Sequence, residues 1–136
     1  MNLFTALHVF FYKLTGGRIG GRFRGAPVLL LRTVGRKSGK GRTTPLLYAQ
    51  DGSSWIIVAS NGGKPKDPSW LSNLRKNPNA TFQIKNRKQN ARARIATLEE
   101  RTRLWPIMTK IYPSYDDYQK KTEREIPLVV LESPSP

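Results

Sequence analysis

The sequence predicts one mainly β domain with short helices, an α+β chain whose strands form an antiparallel barrel. Three observations predict this. About six short runs, apolar or alternating apolar with polar, are bounded by turn residues. Two neighbouring pairs of runs are joined by short polar turns that read as local hairpins, and the intervening helices are short, which suits an antiparallel barrel better than a parallel, doubly wound sheet. At 136 residues the chain has room for one core, because two would each be too small to be comfortable.

The elements follow in order. Phe4, Leu7, Phe11 and Leu14 recur at helical spacing with Leu3 and Phe10 beside them, so residues 3–14 read as an amphipathic helix. The Gly-rich basic stretch 16–25 reads as a mobile connection. Strands are expected at 28–33, 44–50 and 55–60, the last two joined by Asp51-Gly52, a dipeptide that accepts the positive φ of tight hairpin turns. Asp67 as N-cap and Pro68 at the first helical position open a short helix through Trp70 and Leu74 towards Asn77-Pro78. Runs 81–85 and 91–96, with a polar turn at 86–90, read as a second hairpin. Thr97 and Glu100 form a capping box opening a helix through Trp105 and Ile111, which Pro106 is positioned to bend. A short helix at 115–121 and a strand at 126–131 follow, and 133–136 reads as a frayed tail. The organisation is an N-terminal helix and connection (1–24), a barrel domain (25–132) and the tail.

Composition narrows the function classes. No apolar run approaches the roughly 18 residues of a membrane span. The N-terminal stretch lacks the basic leader and small-residue cleavage site of a secretory signal. Cysteine is absent, which removes disulfides, thiolate nucleophiles and zinc-thiolate sites and suits a reducing cytoplasm. With 24 Lys and Arg against 9 Asp and Glu, the formal charge of +15 points to an acidic ligand or surface. The single histidine, His8, reads as a surface residue, no metal-ligand spacing is present, and the scattered carboxylates form no acid-base pair. If the chain is an enzyme, its chemistry therefore falls to a cofactor.

Three constellations stand out. The segment 35–44 interleaves glycines with Arg36, Lys37, Ser38, Lys40 and Arg42, a pattern that offers backbone N–H groups, hydroxyl and charge to an anion but fits neither a P-loop nor a dinucleotide fingerprint. Its bland reading is a solvated basic hairpin. A strand ending Ala59-Ser60-Asn61-Gly62-Gly63 and running into Ser69, Trp70 and Asn73 leaves backbone donors free for a flat ligand edge, or simply packs a helix on the barrel. Tyr112, Tyr115 and Tyr118 share one side of a turn and helix, as a satellite core cluster or the cover of an aromatic pocket.

Taken jointly, Gly35-Arg36-Lys37-Ser38-Gly39 with Arg42 and Pro45, Val58 to Gly63, Pro68-x-Trp70 with Asn73-Leu74, Asn77-Pro78, and Tyr112-Pro113-x-Tyr115-x-x-Tyr118 resemble the deazaflavin (coenzyme F-420) dependent nitroreductase and quinone reductase family of actinobacteria, over residues 25–132. The resemblance implies a split β-barrel of flavin-reductase-like type. It also implies a groove for reduced coenzyme F-420, an 8-hydroxy-5-deazaflavin whose phosphate and oligoglutamate tail are anionic. By this resemblance Arg36, Lys37, Ser38 and Arg42 hold the tail, with Pro45 beside them. Val58, Ala59, Ser60 and Asn61 line the ring, and Ser69, Trp70 and Asn73 complete the cofactor site. Tyr112, Tyr115, Tyr118 and Ser60 meet the acceptor, with Tyr115 and Ser60 nearest the reacting centre. The activity implied is hydride transfer to a quinone, nitro-aromatic or activated alkene. Asn61 stands where the family often carries Lys, which makes quinone reduction a safer inference than nitro-activation.

Two other readings compete. The basic aromatic stretch with Phe82, Lys85, Arg87, Lys88, Arg92 and Arg94 is what a nucleic-acid-binding barrel would display, although that leaves the ordered Gly, Trp and Tyr motifs unexplained. A non-catalytic carrier of the same cofactor is the second. The expected partners are accordingly small molecules and no nucleic acid, for a cytoplasmic monomer or homodimer whose Phe-rich N-terminal helix could touch the inner face of the membrane.

Overall fold

The computed structural model describes residues 3–18, 20–23 and 25–134. Parts of the N-terminal segment, the 16–25 connection and the tail thus lie outside the described residues. The elements in order are α1 (Leu3–Thr15), β1 (Arg22–Phe23), β2 (Ala26–Val34), β3 (Gly41–Leu47), β4 (Ala49–Asp51), β5 (Ser54–Val58), α2 (Ser69–Lys76), β6 (Asn79–Ile84), β7 (Arg87–Ile95), α3 (Leu98–Ile111), α4 (Ser114–Lys120) and β8 (Leu128–Glu132). A 3-10 turn at Asn61–Gly63 links β5 towards α2.

All described strand pairs are antiparallel, in the order β1-β2-β6-β7-β8-β5-β4, with β3 paired to β2. The sheet curls, and β3 passes into β4 at Tyr48, where the chain breaks its ladder and donates N–H to Pro27 O (3.2 Å). This is the expected split barrel, with the single run 44–50 divided in two. The β6–β7 hairpin is tighter than the polarity of 86–90 suggests. Strand β7 begins at Arg87, because Lys85 takes the left-handed conformation (φ 54°) and Gln83 and Phe82 pair with Lys88 and Gln89. Polar residues alone do not break a strand whose outer face meets solvent.

Continuous apolar runs mark the strands buried on both faces. In β8, Val129 and Leu131 join the barrel core with Leu29, Leu31, Phe82 and Trp70. Their neighbours Leu128 and Val130 face a second core with Ile56, Val58, Leu104, Met108 and Tyr115, covered by α3 and α4. Phe82 is therefore core, 2% exposed and against the Trp55 ring at 4.8 Å, and is not a platform on which a base could stack.

Helix α1 packs on the outer face of β2 through Val9 and Tyr12 against Val28 and Leu30. Tyr12 is fully buried, and its hydroxyl donates to Val28 O (3.0 Å) or Gln83 O (3.2 Å) while accepting from Lys85 N (2.8 Å). A ring of this size buries about 150 Å² or more, roughly 4 kcal/mol gross at 25 cal/mol per Å². His8 is half-buried, its Nε2 2.7 Å from Gly20 O. The apolar stripe read from the sequence points the other way: Phe4 is 77% and Phe10 57% exposed, and Leu3, Leu7, Phe11 and Leu14 are exposed with them.

Helix α3 opens with the expected capping box, Thr97 Oγ1 accepting from Glu100 N (3.2 Å) and Glu100 from Thr97 N (2.9 Å), and continues through Pro106. The Glu100 carboxylate also receives a forked pair of bonds from Arg94 (2.6 and 2.8 Å), which, with the Thr97 N–H, holds its pKa down at about 2. Arg94 bonds Glu132 as well, so this cation is already committed within the fold.

Candidate functional site

The β2–β3 connection, α1 and α2 enclose a groove of about 920 Å³. Its geometry starts from the turn. Gly35 N donates to Lys40 O (2.7 Å) and Gly39 N to Gly35 O (2.8 Å), and Gly39 adopts φ 72°, a conformation glycine takes without cost. The turn is then tied to α2 through Asn73, which is 4% exposed: its Oδ1 accepts from Arg36 N (3.1 Å) and Arg36 Nη1 (3.0 Å), and its Nδ2 donates to buried Thr33 Oγ1 (3.1 Å). Lys76 Nζ adds a bond to Arg36 O (2.8 Å). Arg36 is thus largely spent on holding the turn against the helix. Lys37 and Arg42 meet no carboxylate among the described residues and line the groove, as does Ser38.

On the facing side are Ser69, Trp70 and Asn73 of α2, with Asn61 at one end. Trp70 serves both readings of it, since it lines the groove and is 6% exposed within the barrel core. Helix α2 starts one residue later than expected. Pro68 takes the cap position, and the Asp67 carboxylate turns instead to Arg124 (3.2 Å) and Arg75 (3.5 Å). From α1 the groove receives Thr5, Val9 and Lys13, one helical face at spacing four. Of the other residues tied to the cofactor by resemblance, Val58 and Ala59 turn their side chains into the two cores and Pro45 lies in β3 opposite Leu30. None of these, nor Ser60, lines the groove. The Ala59 backbone is itself committed, its N–H to Pro127 O (2.9 Å) and its carbonyl to Arg124 (3.3 Å).

The tyrosines form a packed group in which Tyr115 is perpendicular to Tyr112 (5.0 Å between centroids) and to Tyr118 (6.3 Å), and the Tyr112 and Tyr118 hydroxyls are 3.2 Å apart. Gly63 joins this group to the site. It holds φ 81°, and a side chain there would meet the Tyr118 backbone, so α4 sits directly on the 60–63 turn. Tyr115 is 5% exposed, and burial, with the two phenols beside it, pushes its pKa up. It stays a protonated donor, and its hydroxyl has no hydrogen-bond partner among the described residues.

Arg124 is the residue the sequence reading missed. Its guanidinium donates to Lys64 O (3.0 Å), Ala59 O (3.3 Å), Ser60 O (2.9 Å) and the Asp67 carboxylate (3.2 Å), gathering the whole 59–67 loop around one side chain. Nothing local in Thr122-Glu123-Arg124-Glu125 announces this, because its partners lie some 60 residues away in sequence. Among the described residues no group of His, Cys, Asp or Glu could hold a metal ion, and no helix is long and apolar enough to cross a membrane.

Comparison with known proteins gives a consistent set of matches. The sequence profile of a family described as F420H2-dependent quinone reductase matches residues 5–133. An F420H2-dependent quinone reductase of Mycobacterium tuberculosis is 42% identical over 129 residues, covering 92% of this chain and 87% of that protein. A solved protein described as a domain-swapped dimer superposes with a TM-score of 0.75 at 35% identity, covering 93% of each chain. A solved F420H2-dependent reductase superposes with a TM-score of 0.72 at 39% identity, covering 78% of this chain and 94% of the other.

Proposed function

Because the chain belongs to the F420H2-dependent quinone reductase family, we propose that the groove between α1, α2 and the β2–β3 turn binds reduced coenzyme F-420 and that hydride passes from it to a quinone. The observation that carries this placement is the pair of cations, Lys37 and Arg42, which meet no carboxylate among the described residues and stand beside Ser38 and Trp70 in one groove. Such a lining fits an acidic, aromatic molecule: two or three charge-assisted bonds, at about 1.5–3 kcal/mol each, supply much of the roughly 8 kcal/mol of micromolar binding. The bound cofactor supplies the hydride.

The chain's own residues do the rest. Lys37, Ser38 and Arg42 hold the phosphate and the first carboxylates of the tail, while Arg36 and Asn73 keep the turn in place for them. Ser69 and Trp70 form the wall of the site, and Pro45 and the backbone of Val58, Ala59, Ser60 and Asn61 border the ring. Tyr112, Tyr115 and Tyr118 cover the acceptor. The Tyr115 phenol and the Ser60 hydroxyl donate to the acceptor oxygen as negative charge develops there. Nitro-aromatic compounds and activated alkenes are further acceptors for this reading, since they accept hydride and present an oxygen to the same donors.

Titration with the oxidised cofactor, followed by its own fluorescence and with flavin mononucleotide as competitor, tests the reading. Micromolar affinity that falls at least tenfold in Lys37→Glu/Arg42→Glu is expected, and undiminished uptake by that variant would remove the assignment.

The exposed apolar stripe of α1, on a chain of formal charge +15, supports a second part of the reading. A cytoplasmic protein of this kind would rest α1 on anionic lipid, where lipophilic quinones dissolve. Vesicles of anionic lipid should pellet the wild-type protein but not Phe4→Glu/Phe10→Glu. Equal pelleting would assign the stripe to another role.

A further inference from the structure

At the end of β2 away from the cofactor groove, the described residues of the 16–25 connection, expected to be mobile, are folded against the sheet. Gly17 N donates to Tyr12 O (2.9 Å) and Val28 N to Gly21 O (2.9 Å). Gly17, at φ 86°, lies so close to the Lys85 backbone that any side chain would meet it, and Gly21 sits in the same way on the Gly17 carbonyl. Arg22 then pairs with Pro27 and Phe23 with Ala26, so successive side chains leave on opposite faces. Arg22 turns in under the connection, while Phe23 reaches the Tyr112 ring (6.1 Å between centroids).

Between the connection, the start of β2 and the β6–β7 turn lies a pocket of about 360 Å³ that shares no lining residue with the groove. Its lining carries three cations, Arg18, Arg22 and Lys85, and no carboxylate. Arg22 is held in place by a bond from Nη1 to Gly25 O (2.7 Å), whereas the Arg18 and Lys85 side chains make no hydrogen bond or ion pair with a described residue. Tyr48 adds a phenol. Its ring packs on the barrel core, and its hydroxyl, also without a partner among the described residues, stays protonated because burial raises its pKa against the pull of the nearby Arg22 charge. Helix α1 ends at this pocket, but two carbonyls of its last turn that would repel an anion are met by Gly17 N (at Tyr12 O) and Arg18 N (at Thr15 O, 3.4 Å).

Three cations and a hydroxyl thus line one pocket from three segments of the chain: the connection, the β3–β4 junction and the β6–β7 turn. They offer more donors than the two oxygens of one carboxylate can take up, and they match the three or four oxygens of a phosphate. We propose that this pocket is a phosphate-binding site, with Arg18, Arg22 and Lys85 as its cations and the Tyr48 phenol as a further donor. It takes a phosphate carried on a small polar molecule or on a lipid headgroup, and its volume leaves room for the group that bears the phosphate. The site stands independently of the cofactor reading.

The test follows the amide N–H signals of Gly17, Gly20 and Gly21 in a proton–nitrogen correlation spectrum of the full chain at constant ionic strength. The probes are inorganic phosphate, glycerol phosphate and dihexanoyl phosphatidic acid below its micelle threshold, with chloride as control. Inorganic phosphate should shift these signals with a dissociation constant of about 1 mM or lower, and chloride should not. Arg18→Gln/Lys85→Gln, its three signals unmoved in phosphate-free buffer, should weaken the response at least tenfold, and Tyr48→Phe about threefold. Lys37→Gln/Arg42→Gln, which disarms the cofactor groove, should leave it within about twofold. Tighter binding of the lipid analogue than of glycerol phosphate assigns the site to a headgroup beside the exposed stripe of α1; equal or weaker binding assigns it to a soluble phosphate. No shift of the three glycines with any probe, the same shift with chloride, an undiminished response in both Arg18→Gln/Lys85→Gln and Tyr48→Phe, or its loss in Lys37→Gln/Arg42→Gln overturns the site.

Discussion

Arg124→Met should weaken the protein and the site together, and the magnitude can be worked from the contacts. The side chain is 17% exposed and serves four acceptors. Two of these keep a partner when it is removed: Ser60 O still accepts from Gly63 N (2.9 Å), and Asp67 still faces Arg75 (3.5 Å). Ala59 O, on a fully buried residue, does not, and an unmet buried acceptor costs about 1–3 kcal/mol. The half-exposed contacts add about 1 kcal/mol, for a total of about 2–4 kcal/mol. At about 4 °C per kcal/mol, the thermal midpoint should fall by about 8–16 °C. Because the 59–67 loop carries Ser60 and Asn61, the affinity for oxidised coenzyme F-420 should drop as well, by about fivefold or more if 1 kcal/mol of loop order is lost. Arg124→Lys should recover only part of both, since an ammonium group cannot span the fork. Thermal unfolding and cofactor titration on the same samples decide the matter. A midpoint within 3 °C of wild type, or lost stability with unchanged affinity, would refute the view that this guanidinium positions the site.

Asn73→Leu should destabilise by about 2 kcal/mol, because it leaves the buried Thr33 hydroxyl and the Arg36 N–H without their partner, and should loosen cofactor binding with it; urea unfolding and titration measure the two losses. Tyr115→Phe should cut quinone turnover at least tenfold while leaving cofactor affinity unchanged, as expected when about 1.4 kcal/mol of transition-state hydrogen bonding goes; equal loss of both would move the phenol into the cofactor site. The Glu100 carboxyl titrates at about 2 in the folded chain against an ordinary 4.5, so its stabilisation is present above about pH 4.5 and is lost as pH falls towards 2. Partial exposure of Arg94 limits the effect to about 1 kcal/mol, and Glu100→Gln should flatten the acid limb of a pH–stability profile by that amount.

How legible the molecule was depended on the range over which each signal acts. The Thr97–Glu100 capping box, the Asp51-Gly52 turn and the continuous apolar run of β8 are local statements, written within a few residues, and the structure contains them all. The basic Gly-rich turn and the Ser69, Trp70 and Asn73 helix could also be picked out, since each carries its own donors and punctuation. What periodicity could not supply was the direction each face takes. The apolar stripe of α1 faces outward because two residues off that stripe, Val9 and Tyr12, find the cavity over Val28 and Leu30, and a buried phenol with three backbone partners outweighs a wider but unpartnered apolar surface.

The sequence by itself determined the class of fold, the basic character of the site and the order of its motifs, because hydrophobic spacing, turn chemistry and net charge are properties of short stretches and of composition. Only the tertiary structure decided that Arg36 is bound to Asn73 while Lys37 and Arg42 meet no carboxylate among the described residues, and that Arg124 gathers a loop far away in sequence. The reason is physical: a cation's role is set by which acceptors the closed sheet brings within about 3 Å of it, and that distance does not exist until the strands have paired.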